Sequence, residues 1–172
     1  MRKIFYILFL SNLLFAQTST TEKIGDALRL IIPIGAYTST LYLEDKQGQM
    51  EFYKSFGVTV ATTYALKYTV KRERPNGENN RSFPSGHTSS TFGAASFIHL
   101  RYGWKYAIAP YIGAIFTGYS RVVSKQHYLS DAIAGASIGL LSSWYFTLPY
   151  NKLQVEALNQ QGYRGIQVSY NW

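Results

Sequence analysis

The chain contains no cysteine. That excludes a disulfide framework and any thiolate metal site. It has no run of 18 consecutive apolar residues, and every helical segment carries Tyr, Thr, Ser or a charge. Mean hydropathy is −0.10, low for a protein that crosses a membrane many times. Acidic residues are scarce, 9 against 17 Lys and Arg, leaving a formal charge of +8. This balance suits anionic partners such as phosphate esters or lipid headgroups. No Lys/Arg block is long enough to favour nucleic acid. The chain also lacks a Gly-x-Ser-x-Gly elbow and a His-Glu-x-x-His helix, the marks of serine hydrolases and of one zinc-hydrolase class.

What is present is organised. Residues 1–16 read as a secretory signal peptide: Arg2 and Lys3, an apolar run from Ile4, then Ala16 before a polar stretch from Gln17. Cleavage there removes Arg2 and Lys3 and takes the formal charge from +8 to +6. Residues 17–150 form the main domain and 151–172 a tail. The fold class is all-α, a compact bundle of about five helices with a short C-terminal β-hairpin. The helices run about Glu22–Leu43, Met50–Lys71, Ser85–Tyr102, Trp104–Val122 and Leu129–Phe146. Gly-Ala-rich stretches in the last three allow close backbone approach. In the tail, Leu153, Val155 and Ala157, then Ile166, Val168, Tyr170 and Trp172, alternate with other residues around Asn159-Gln160-Gln161-Gly162.

Three clusters carry chemistry. The first is Lys67-x6-Arg74-Pro75, the second Pro84-Ser85-Gly86-His87, the third Ser120-Arg121-x5-His127-x3-Asp131. They supply three cations, two histidines and one carboxylate. A tetrahedral oxyanion can be held by the cations and by N–H groups at a helix start. One histidine can attack it and the other can protonate a leaving group. The plain alternatives are solvated charges for Lys67 and Arg74, an N-cap for Ser85 and a surface contact for His127 and Asp131. Two histidines and an aspartate can also bind a divalent ion, but the surrounding cations would repel one.

The three clusters, in order and each intact, resemble the type 2 phosphatidic acid phosphatase family, which includes the class A acid phosphatases and the vanadium haloperoxidases. The resemblance runs from Lys67 to about Gly139. It implies phosphomonoester hydrolysis of a lipid phosphate or small phosphate ester. It assigns phosphate binding to Lys67, Arg74, Ser85, Gly86 and Arg121, general acid catalysis to His87, and nucleophilic attack to His127. Asp131, four residues on, would share a helix face with His127 and accept from one ring nitrogen. No metal or other cofactor is required on this reading. The phosphate ester is the partner, with a membrane surface as a further one. The expected location is the periplasm, membrane-associated. An integral inner-membrane protein with a periplasmic active site is the alternative. Phosphoryl transfer to an acceptor other than water, and a non-catalytic envelope protein that binds anions, are the rival functions.

Overall fold

The computed structural model describes the backbone of residues 2–150, 153–160 and 163–170, and the side chains of residues 20–150, 165 and 166. Five helices follow one another: α1 (Arg2–Tyr42), α2 (Lys46–Val70), α3 (Gly86–Tyr102), α4 (Trp104–Val123) and α5 (Leu129–Phe146). Strands β1 (Leu153–Gln160) and β2 (Tyr163–Tyr170) pair antiparallel, Leu153 opposite Tyr170 and Gln160 opposite Tyr163. The expected all-α bundle with a hairpin is borne out. Asn159 and Gln160, read as turn, belong to β1. Helix α1 starts at Arg2 and not near Glu22, so the stretch read as a leader continues the first helix. The side chains of residues 1–16 lie outside the described ones.

The helix ends follow local chemistry. Asp45 caps α2, its carboxylate accepting from the Gly48 N–H at 2.9 Å. The same carboxylate takes two donors from buried Arg101, at 2.7 and 2.5 Å. Arg101 also donates to the Leu148 and Pro149 carbonyls, so one ion pair joins the α1–α2 turn, the end of α3 and the exit from α5. Helix α2 stops at Lys71, which is left-handed with φ 49°. Gly103, at φ 97°, separates α3 from α4 in a conformation that favours glycine.

Helix α3 touches all four other helices. Its Ala94, Phe97 and Ile98 pack with Ile32 and Ala36 of α1, Phe52 of α2 and Ala107 of α4. Helix α5 crosses α3 at backbone contact. A Cβ on Gly135 would lie 2.4 Å from the Ser85 carbonyl oxygen, and one on Gly139 would lie 2.4 Å from that of Ser89. These two glycines set the start of α3 against the start of α5. The antiparallel order then gathers the C-terminal ends of α2 and α4 and the N-terminal ends of α3 and α5 at one end of the bundle. Each carries one of the sequence clusters or its flank.

Candidate active site

A cavity of about 480 Å³ opens at that end. Lys67, Arg74, Gly86, His87 and His127 border it, together with Arg29 of α1. Leu30, Pro33 and Ile34 of α1 and Phe56, Val60 and Tyr64 of α2 give it an apolar wall. Members of three clusters that are far apart in sequence thus meet around one space. Ser85, Arg121 and Asp131 stand close by but do not border it.

His127 lies in the loop before α5 and is 3% exposed. Its Nδ1 is 2.6 Å from the Ser82 carbonyl oxygen. A carbonyl can only accept, so Nδ1 carries the proton. Burial first, then the charges of Lys67 and Arg74, hold the ring's pKa down to about 3, and the Ser82 bond opposes them. At neutral pH the ring is therefore uncharged, and its Nε2 holds a free lone pair.

Asp131 differs from expectation. Its Oδ2 is 3.9 Å from His127 Nδ1, beyond hydrogen-bond distance. The i,i+4 argument needed both residues on one helix, whereas His127 precedes it. Asp131 sits in the first turn of α5 and bends back, accepting from the Tyr128 N–H at 3.0 Å. It also accepts from the Ser82 hydroxyl and from Arg72 Nη1 at 2.7 Å. Its backbone carbonyl takes the Ser85 N–H at 2.9 Å. Asp131 is fully buried and meets His127 only at one remove, through Ser82, which bonds both.

Arg72, which none of the three motifs marks, is this carboxylate's partner. Its guanidinium also lies 4.0 Å from the Tyr128 ring centroid and donates to Ser130 Oγ at 2.8 Å. Nothing in the spacing separates it from Lys71 or Arg81. Ser85 is the N-cap of α3, with Thr88 Oγ1 at 2.9 Å from its hydroxyl.

The cations are held differently. Lys67 Nζ donates to the Arg81 and Pro84 carbonyls at 2.8 and 2.7 Å. Burial, then Arg74, lowers its pKa to about 8. Arg74 donates to Asn79 Oδ1 at 3.1 Å and to Gln126 Oε1. Arg121 donates to Asp26 Oδ1 at 2.8 Å and to the Glu22 carbonyl at 2.6 Å. The same Asp26 oxygen lies 2.8 Å from His87 Nε2. Burial, then Arg121 and Arg29, pulls the His87 pKa down to about 4, while Asp26 pulls it up. Helix α1 thus contributes to the site, which none of the motifs signals. Among the described residues, no three of His, Cys, Asp and Glu converge as a metal site would need.

Residues 50–154 match the family model of the PAP2 superfamily. The chain belongs to the PAP2 superfamily. This bears out the resemblance read from the three clusters. A lipid A 4'-phosphatase of Helicobacter pylori is 35% identical over 140 residues, covering 75% of this chain and 70% of that protein. A lipid A 1-phosphatase of Porphyromonas gingivalis is 45% identical over 80 residues, 45% of this chain but only 18% of that protein. Among solved structures, Aquifex aeolicus LpxE superposes with a TM-score of 0.65 at 17% identity, covering 76% of this chain and 84% of that one. At that identity the likeness concerns the PAP2 fold. The helical bundle described above is shared with it.

Proposed function

We propose that this PAP2 protein is a lipid-phosphate phosphatase that works through a phosphohistidine on His127, outside the cytoplasm. The observation that carries the mechanism is the Ser82 carbonyl on His127 Nδ1. It selects the tautomer whose Nε2 can attack. Nε2 forms a bond to phosphorus as the ester P–O bond breaks, and the leaving oxygen takes a proton from His87. Water then attacks the phosphohistidine, a proton returns to His87, and His127 and inorganic phosphate are released. Burial and the charges of Arg121 and Arg29 keep His87 neutral at pH 7. A phosphate dianion beside it offsets the Arg121 and Arg29 charges and favours the protonated ring. Lys67 and Arg74 neutralise the phosphoryl oxygens, so the charge a metal would supply is already present.

The lipid assignment rests on the apolar wall of the cavity and on the names of the two relatives. A headgroup phosphate reaches the cations while the adjoining chain lies along Leu30, Ile34, Phe56 and Val60. The outer surface is apolar as well: Leu30, Ile31 and Ile34 of α1, Ile112 and Ile115 of α4, and Leu141 and Trp144 of α5 are exposed. Among the described residues no helix is long and apolar enough to cross a membrane. We place the protein at the periplasmic membrane surface, in contact through these side chains. The test compares hydrolysis of a lipid phosphate in mixed micelles with that of a soluble monoester, alongside flotation with liposomes. Faster turnover of the lipid and co-flotation support the reading. A preference for the soluble ester, with no flotation, sinks it.

A further inference from the structure

Four cations surround the site, and three are already tied to protein groups. Lys67 Nζ is held by two carbonyls. Arg74 is held through Nε and Nη1. Arg121 is held through Nε by Ser120, through Nη1 by Asp26 and through Nη2 by the Glu22 carbonyl. Arg29 is the exception. It borders the cavity and is exposed, and no side-chain hydrogen bond or ion pair ties it to another described residue. Among the described residues no carboxylate lines the cavity to balance it, and that of Asp26, one turn earlier on α1, is taken by His87 and Arg121. Its charge instead opposes the charged forms of both Lys67 and His87. A hydrated guanidinium with no protein partner, at the mouth of a cavity lined by other cations, stands where the local field attracts an anion.

We propose that Arg29 is a substrate-binding residue, supplied by α1 from outside the family's motif clusters, that contacts oxygens of the bound phosphate group. The guanidinium has five donors in a planar fork, suited to two phosphate oxygens at once. Its place on α1 adds a second consequence. Leu30, Pro33 and Ile34 follow it along the apolar wall, so the same helix holds the anion and the start of the chain attached to it. This inference rests on the phosphatase reading for its substrate, but not for its ligand.

The experiment separates the two. Binding of inorganic phosphate is measured by calorimetry, and inhibition of turnover by orthovanadate is measured beside it. The proteins are wild type, Arg29→Gln, Arg29→Lys and Lys46→Gln, the last removing an exposed charge remote from the cavity. Arg29→Gln should weaken both anions by at least about tenfold, the worth of one charge-assisted hydrogen bond. Arg29→Lys should recover part of that loss, and Lys46→Gln should match wild type. Arg29 is exposed, so folding should survive either change. Equal affinities in wild type and Arg29→Gln would overturn the inference, as would equal losses in Arg29→Gln and Lys46→Gln. A wild type that binds phosphate through Arg29 but hydrolyses no ester would leave the inference standing and refute the phosphatase.

Discussion

Two uncharged histidines, His127 buried and His87 half-buried, make this fold sensitive to mild acid. His127 is 3% exposed with its pKa held down to about 3, and His87 is held down to about 4. In the unfolded chain both titrate near the ordinary value of about 6.5. Between these limits the unfolded state binds protons that the native state refuses. Stability is therefore full above about pH 6.5 and is lost as pH falls toward the folded values. Each unit in that window costs about 1.4 kcal/mol per histidine. At about pH 5 the loss is about 2 kcal/mol each, or about 4 together, a large part of a typical domain's stability. Urea unfolding at about pH 7.5 and pH 5 measures it. His127→Asn should remove about half of the difference, and saturating phosphate should shrink it by favouring protonated His87. Unchanged stability between the two pH values would refute the reasoning, as would a His127→Asn variant that keeps the whole difference.

Other substitutions separate the roles within the site. Asp131→Asn should lower stability by about 2–3 kcal/mol, because the buried carboxylate accepts from Arg72, Ser82 and Tyr128, and should slow turnover through the displaced Ser82 carbonyl; thermal melts and steady-state rates check this. Ser82→Ala keeps that carbonyl and should cost less than about tenfold in rate, so a loss equal to that of Asp131→Asn would show that the hydroxyl is what matters. His87→Ala should be severe for esters with poor leaving groups and mild for good ones, which need little protonation; equal losses across a leaving-group series would undo its role as acid. Gly139→Ala places a Cβ against the Ser89 carbonyl and should destabilise by about 1–3 kcal/mol, seen as a lower unfolding midpoint.

The sequence made the bundle and the three motif clusters legible for different reasons. Helix limits followed from side chains with strong local effects, such as Ser85 as N-cap and Gly103 as a break. The hairpin followed from the alternation of Leu153, Val155 and Ala157. The clusters were legible because three intact motifs, in order, resemble those of the family. What stayed hidden depends on groups without a residue code. The Ser82 contact to His127 is a backbone carbonyl, which any residue could present. Arg72 looks like Lys71 and Arg81 in sequence, yet it meets Asp131. Asp26 and Arg29 reach the site only because α1 lies across it. Asp26 is 61 residues from His87 and 95 from Arg121. Close crossing at Gly135 and Gly139 brings the start of α3 to Asp131, a fact of packing that the small-residue pattern only permits.

The central claim is that His127 Nε2 is the nucleophile. Alkaline quenching during turnover, followed by mass spectrometry of the peptides, tests it most directly, since a phosphohistidine survives base and is lost in acid. The account predicts phosphate on His127, none in His127→Ala, and a larger trapped fraction in His87→Ala with a good leaving group, where the return of water is slowed. Phosphate on Ser85 or on another side chain, or turnover that persists in His127→Ala, would contradict it.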